Sequence, residues 1–202
     1  MNMKRLYFIL WLLMPFCLFA QKDTEARRVL DRTASVLQQS GGIRATFEGS
    51  NQGTLLMKGD KFYLDCAGIC SWFDGKTQWS YMVESDEVTI SLPTPEELQG
   101  INPYALIQSY KNGYLYQYKG KCTRNGIIGH EVTLIPEQEQ SIKSITLFVS
   151  EKYLPIYIKV EQNNGMANEI KITSCQTNQS LNDHVFVFDK KKYPNAEIID
   201  MR

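Results

Sequence analysis

From residue 43 onward, the sequence alternates apolar and polar residues in short runs that are separated by turn residues. A period of two is typical of β-strands with one buried face. The candidate strands are 43–49, 53–58, 61–66, 69–74, 77–83, 86–92, 113–121, 129–135, 142–149, 155–162 and 168–175. Gly59-Asp60, Asp74-Gly75 and Asn125-Gly126 are turn signals between neighbouring runs. About eleven strands with short connections predict a mainly β fold with one large antiparallel sheet, curled or closed so that its edges are protected.

Two segments depart from this alternation. Residues 23–40 carry apolar or small side chains at spacings of three and four, and Gly41-Gly42 ends the pattern. This predicts an amphipathic N-terminal helix. Residues 93–110 begin with Pro93 and Pro95. They also contain Asn102-Pro103, a helix cap followed by proline at the first helical position. They predict a short helical insert between the sixth and seventh strands.

The first 20 residues have the pattern of a secretory signal peptide. Lys4 and Arg5 precede the run Leu6–Ala20, in which Pro15 alone is not hydrophobic. The run is shorter than the roughly 20 residues that a membrane-spanning helix needs. Cys17 follows the bulky Phe16, which disfavours processing as a lipid-modified cysteine. The prediction is a signal peptide at 1–20, followed by a single domain at 21–202.

Composition and motifs exclude several classes of function. The chain has 22 Lys plus Arg and 22 Asp plus Glu, so it offers no basic surface for nucleic acid. Its two histidines, His130 and His184, are isolated, which predicts no metal site. Phosphate-loop, serine-elbow and dinucleotide glycine patterns are missing. We therefore predict a protein that is not an enzyme and has no cofactor.

Four cysteines follow the signal peptide, an even number in a compartment where disulfides form. Three pairings are possible. A three-residue loop at Ala67-Gly68-Ile69 would place Cys66 opposite Cys70. We therefore predict disulfides joining Cys66 to Cys70 and Cys122 to Cys175.

Several strands have a strongly apolar face, whereas only short helices are available to cover them. An ordinary core under helices explains part of this pattern. A curved sheet of this size also leaves a concave apolar surface that can hold a ligand. The predicted cavity residues are Phe62, Leu64, Trp79, Tyr81, Val88 and Ile90. The apolar residues of the helical insert that would roof this cavity are Ile101, Tyr104, Leu106, Ile107 and Tyr110.

The block Ser71–Tyr81 resembles the LolA-type periplasmic carriers of outer-membrane lipoproteins, which carry an Asp-Gly-Lys-Thr turn followed by Trp-x-Tyr. Four further blocks resemble this family in the same order. They are Ala45-Thr46-Phe47, Gly53–Lys58 leading into Lys61-Phe62, Asn102–Ile107, and Phe186-Val187-Phe188.

The resemblance implies an incomplete antiparallel β-barrel of eleven strands, with an apolar cavity for lipoprotein acyl chains. The helical insert and the N-terminal helix would form its lid, and the roof residues of the insert named above are the predicted lid residues. The lid is expected to be held only by apolar contacts, which an acyl chain can replace.

The resemblance also implies a periplasmic monomer that receives lipoproteins from an inner-membrane ABC transporter complex and delivers them to an outer-membrane acceptor. One departure is at Gly59-Asp60, where the family usually has Arg-Pro and ties the arginine to lid closure. Control of the lid is therefore expected to differ, and the identity of the outer-membrane acceptor is left open. The alternative function is a sensor of the same fold that reports envelope stress by binding lipid or lipoprotein.

Overall fold

The computed structural model describes residues 23–94, 97–98, 107 and 110–202. The predicted signal peptide and most of the insert lie outside the described residues. Glu97, Leu98 and Ile107 have helical conformation. Helix α1 spans Thr24–Gln39 and confirms the predicted N-terminal helix. Gly41, at a φ of 61°, follows its C-cap, Ser40.

Asp23 is the N-cap of helix α1 and also ties the helix to the sheet. Its Oδ1 accepts hydrogen bonds from the backbone N–H groups of Glu25 (2.8 Å) and Ala26 (3.1 Å). Its Oδ2 accepts one from the backbone N–H of Tyr118 at 2.9 Å. Partial burial raises the pKa of Asp23, but these backbone hydrogen bonds outweigh it and lower the pKa overall. One carboxylate thus fixes both where the helix begins and how it sits on the sheet.

Twelve strands form one open sheet. In chain order they are β1 Gly42–Gly49, β2 Gly53–Lys58, β3 Lys61–Cys66, β4 Ile69–Phe73, β5 Gln78–Met82, β6 Glu87–Ser91, β7 Tyr114–Arg124, β8 Ile127–Pro136, β9 Ile142–Ser150, β10 Pro155–Gln162, β11 Ala167–Gln179 and β12 Glu197–Asp200. Their order across the sheet is β12-β6-β5-β4-β3-β2-β1-β11-β10-β9-β8-β7. The sheet is not closed into a barrel, which confirms the predicted incomplete barrel.

Strand β12 is the main difference from the predicted strands. It has four residues and pairs in parallel with β6 at the edge of the sheet. To reach this edge from β11, in the middle of the sheet, the chain passes through the segment 180–196. This C-terminal segment contains two 3-10 turns, Asp183–Phe186 and Lys190–Lys192.

Candidate functional site

Helix α1 covers one side of the sheet, which we call the inner face; the opposite side is the outer face. Alternate residues of the strands meet the helix there in a continuous buried cluster. This inner cluster contains Ala26, Val29, Leu30, Leu37, Ile43, Leu55, Met57, Phe62, Phe73, Ile107, Tyr110, Tyr114, Tyr116, Val132, Leu134, Ile145, Leu147, Val149 and Ile158. Half-buried Leu64 and Val160 pack against it. Helix α1 and the inner face therefore bury a large apolar surface between them.

The structure divides the six predicted cavity residues between the two faces. Phe62 and Leu64 lie on the inner face. The register pairs Phe73 with Gln78 across the turn between β4 and β5, so the next residue, Trp79, lies on the outer face. The same register places Tyr81, Val88 and Ile90 on the outer face. The prediction that all six line one cavity is therefore wrong.

The outer face of β2–β6 carries a second apolar cluster under the C-terminal segment. Trp72 contacts Phe188 and Tyr193 edge-on, with ring centroids 5.5 and 5.7 Å apart, and lies 5.3 Å from Tyr63. Tyr81 also contacts Tyr193, at 4.5 Å. The members of this outer cluster are Leu56, Tyr63, Trp72, Trp79, Tyr81, Val88, Ile90, Phe186, Phe188 and Tyr193. A cavity of about 520 Å³ lies here and includes Leu56, Tyr63 and Trp72 in its lining.

The middle of the inner face of β4–β6 is polar, between Phe73 at one end and Ile69 and Met82 at the other. Ser71, Gln78, Ser80, Thr89 and Ser91 follow one another there across three strands. We call these five residues the polar wall. Ser71 and Gln78 are each 5% exposed. On the inner face the wall borders Leu64 and Phe73, since Leu64 is opposite Ser71 and Phe73 is opposite Gln78.

Of the predicted lid residues, Ile101, Tyr104 and Leu106 lie outside the described residues. Ile107 and Tyr110 are buried in the inner cluster. Tyr110 also makes a polar contact, because its hydroxyl donates a hydrogen bond to Oδ1 of Asp31 on helix α1 at 2.5 Å. Lys111 Nζ lies 3.2 Å from the same oxygen. The expectation that this insert is held only by apolar contacts is therefore wrong at its C-terminal end.

Asp31 is the electrostatic centre of this contact. Partial burial raises its pKa, but the Tyr110 hydroxyl and the Lys111 ammonium stabilise the carboxylate and lower the pKa overall. Burial first, and then the hydrogen bond to Asp31, raise the pKa of Tyr110, which stays protonated as the donor. The contact joins helix α1 to the end of the insert and is strongest while Asp31 is ionised.

His130 is isolated in the sequence, but the fold surrounds it with aromatic side chains. His130 is 5% exposed, and its Nδ1 lies 2.8 Å from the Tyr118 hydroxyl. Its ring stacks on Tyr153 at 5.6 Å, and Arg28 Nη1 donates to the Tyr153 hydroxyl at 3.2 Å. Burial first, and then the charges of Lys121 and Arg28, lower the pKa of His130. Neutral His130 is thus part of the packing between helix α1 and strands β7 and β8.

The four cysteines are free thiols, so the predicted disulfides are wrong for this structure. The turn after Cys66 has two residues, Ala67 and Gly68, both with positive φ, rather than three. Cys66 is therefore opposite Ile69, and Cys70 is opposite Asp65 on the other face. Cys122 is on β7 and Cys175 is on β11, with three strands between them. Burial raises the pKa of each of the four thiols.

Two further features bear on what the site can do. Within the described part of the chain, every helix is too short or too polar to span a bilayer. At the described positions, histidine, cysteine and carboxylate side chains nowhere gather in groups of three that could hold a metal ion. The arrangement is an apolar interior with polar contacts at its margins.

A family model described as outer membrane lipoprotein carrier protein LolA matches residues 16–165. The chain belongs to the LolA family. No protein of curated function matches it by sequence. A conserved protein from Thermus thermophilus, described as uncharacterized, superposes with a TM-score of 0.64 at 12% identity, over 88% of this chain and 99% of that one. The Mycobacterium tuberculosis lipoprotein LppX superposes with a TM-score of 0.50 at 9% identity, over 79% and 98%. At these identities the two structures show the fold alone.

The departure from the LolA family pattern lies in the turn between β2 and β3. Gly59, at a φ of 62°, and Asp60 form this tight turn. The preceding Lys58 donates from Nζ to Asp183 Oδ1 at 2.8 Å, and Lys61 donates to Oδ2 of the same carboxylate at 2.7 Å. These two ammonium groups lower the pKa of Asp183 to about 2. Lys58 and Lys61 thus bind the C-terminal segment.

Proposed function

We propose that this protein is a non-enzymatic periplasmic carrier of acylated lipoproteins and that acyl chains bind on the inner face. Membership of the LolA family supports the carrier role. The inner cluster is the observation that supports this binding location. It joins helix α1, eight strands and the buried Ile107 and Tyr110 in one apolar surface. The carrier would be exported by a signal peptide at residues 1–20.

The energetics of acyl chains fit this role. Burial of one methylene is worth about 0.8 kcal/mol, so one sixteen-carbon chain exposed to water costs about 12 kcal/mol. A lipoprotein with two or three chains therefore needs a protein that shields them between membranes. A carrier must also release its cargo. An interior that holds chains by non-directional apolar contact can do so without breaking a strong polar anchor.

The proposal includes opening at the insert. Its predicted lid residues, Ile101, Tyr104, Leu106, Ile107 and Tyr110, would move aside as chains replace their apolar contacts. The hydrogen bond from Tyr110 to Asp31 would be the last contact to keep the insert on helix α1. Since Gly59-Asp60 stands where the family usually has Arg-Pro, this contact would take over the task of holding the lid closed.

The partners follow from the same proposal. An inner-membrane lipoprotein-releasing ABC transporter complex would supply the cargo, and an outer-membrane acceptor would receive it. The mature protein would act as a monomer. These partners come from family membership, and the inner surface described above supports only the binding step itself.

The test compares two variants that add the same charge to opposite faces of the sheet. Val160 on β10 packs against the inner cluster, whereas Thr133 on β8 is half-buried on the outer face. Val160→Glu would place an unpaired carboxylate among acyl chains, which costs several kcal/mol. We expect it to reduce transfer of a triacylated lipoprotein from proteoliposomes to the soluble phase at least tenfold.

Thr133→Glu is the matched control and should transfer the lipoprotein as the wild type does. Circular dichroism and cooperative urea unfolding establish that both variants fold. The same lipoprotein without acyl chains should not bind the wild type. Failure of the wild type to solubilise the acylated form would refute the carrier function, and equal transfer by both variants would refute the inner binding surface.

A further inference from the structure

The polar wall interrupts an otherwise apolar inner face. Between α1 and strands β7–β10, the buried inner residues are mostly Val, Leu, Ile and Tyr. On β4–β6, five adjacent inner positions are polar, whereas apolar Phe73, Ile69 and Met82 lie at the strand ends. The five polar residues are Ser71, Gln78, Ser80, Thr89 and Ser91. Ser71 and Gln78 are buried, and a sheet that needed only to pack would place apolar residues at such positions, because a buried polar group costs free energy unless it is hydrogen-bonded. The wall therefore calls for a role other than packing.

The polar wall has hydrogen-bond donors that its internal contacts do not use. Ser71 Oγ and Ser80 Oγ are 3.3 Å apart, and Gln78 Nε2 donates to Ser80 Oγ at 3.2 Å. Two serine hydroxyls and one primary amide carry four donor hydrogens, and these two contacts use two of them. One hydroxyl hydrogen and one amide hydrogen are left for an acceptor from outside the wall.

The chemistry of the wall selects one class of acceptor. It contains only hydroxyl and amide groups, so it offers donors without positive charge. Phosphate and carboxylate groups gain most from Arg or Lys, which the wall lacks. A neutral ester carbonyl has acceptor oxygens only, and it can take hydrogen bonds from Ser and Gln. The wall thus suits neutral carbonyl groups that sit beside long apolar chains.

We propose that the polar wall binds the ester carbonyl groups of a diacylglyceryl amphiphile whose chains lie on the inner cluster. The inference rests on the proposed function and adds an orientation to it. Ser71 and Gln78 are opposite Leu64 and Phe73 on the neighbouring strands, where cross-strand side chains are about 5 Å apart. An ester attached to an acyl chain spans this boundary, with its carbonyl on the wall and its methylenes on the cluster.

The test compares two lipids with identical chains, a diacylglycerol with two ester links and a dialkylglycerol with two ether links. The ether lipid lacks the carbonyl acceptors but has the same apolar surface. We expect the wild type to bind the diester about fivefold more tightly, the ratio that one net hydrogen bond supplies. Equal affinities would overturn the inference and leave the carrier function standing, whereas absence of binding to both lipids would refute the carrier function itself.

Variants of the wall sharpen the result. Gln78→Leu and Ser80→Ala should each weaken diester binding to the level of the diether and leave diether binding unchanged. Thr133→Val removes a hydroxyl from the outer face and should alter neither affinity. A variant that lowered both affinities equally would contradict a role in carbonyl binding.

A spectroscopic measurement needs no variant. The carbonyl stretching band of a ¹³C-labelled diester bound to the wild type should lie at lower wavenumber than the band of the same lipid in an alkane, because hydrogen bonding weakens the C=O bond. A bound lipid whose band stays at the alkane position would overturn the inference.

Discussion

Two regions of the sheet, β4–β6 and β7–β10, place most of their apolar residues on opposite faces. On β7–β10, most buried apolar side chains point inward to helix α1. On β4–β6, the polar wall occupies the middle of the inner face, and the aromatic residues other than Phe73 point outward. The protein thus has two apolar clusters on the two sides of one sheet. Under the proposed function the two clusters have different roles: the outer cluster stabilises the fold and the inner face binds the cargo.

The largest effect is expected from Trp72→Ala in the outer cluster. Trp72 is 7% exposed and contacts three aromatic rings, so its removal leaves a large cavity. We expect a loss of about 3–5 kcal/mol in the free energy of unfolding, measured in urea. Acyl binding by the molecules that remain folded should be unchanged. Loss of acyl binding without loss of stability would place the cargo in the outer cavity instead.

The next effect concerns Ile107, which is 3% exposed in the inner cluster. Ile107→Glu should lower the affinity for a fluorescent acyl probe at least tenfold, because a buried unpaired carboxylate costs several kcal/mol. Lys76→Glu, on the exposed turn between β4 and β5, is the control and should bind the probe normally. Equal probe binding by the two variants would show that the insert is not part of the binding site.

A smaller effect is expected at the contact between Asp31 and Tyr110. Tyr110→Phe should reduce the free energy of unfolding by about 1 kcal/mol at pH 7, the net value of one hydrogen bond. The pKa of Asp31 is lowered in the folded state, so its contribution is present above its unfolded pKa of about 4 and is lost as the pH falls through the folded pKa. The difference between wild type and Tyr110→Phe should therefore shrink below about pH 4. A difference that does not change with pH would exclude Asp31 as the partner.

Thiol labelling perturbs the protein least, because the wild-type protein keeps all its contacts until the reagent reacts. Cys122 is exposed on β7, whereas Cys175 packs against the inner cluster and burial raises its pKa. A maleimide should modify Cys122 first and Cys175 last, as followed by mass spectrometry of peptides. Four equivalents of reagent should react after denaturation without a reductant. Reaction of only two equivalents, or of none, would show that disulfides are present, contrary to the structure.

Local patterns predicted the strands and helix α1 well. Asp23 and Gly41 marked the ends of the helix, and alternation with turn residues marked eleven of the twelve strands. Strand β12 was missed because four residues are too few to establish a period. Its partner β6 lies more than 100 residues earlier in the chain, so nothing local to β12 indicates the pairing.

The candidate site was predicted less well because alternation shows which residues share a face, but not which face. Phe73 and Trp79 flank a turn, and only the register across it decides that they lie on opposite sides of the sheet. The contact between Asp31 and Tyr110 joins residues 79 positions apart, and His130 meets Tyr153 through the fold. Such contacts leave no periodic trace in the sequence.

The parallel pairing of β12 with β6 has a consequence for the order of folding. As the chain emerges from the ribosome, Trp79 and Val88 are made about 100 residues before Phe186 and Ile198, which share their face of the sheet. Until then the C-terminal segment does not cover the outer cluster, and β6 is an edge strand that lacks its partner β12. Contacts between such distant segments form slowly, because the loop that joins them must close first. We therefore expect residues 183–200 to dock last, and a polypeptide that still lacks them exposes an apolar surface to which chaperones can bind.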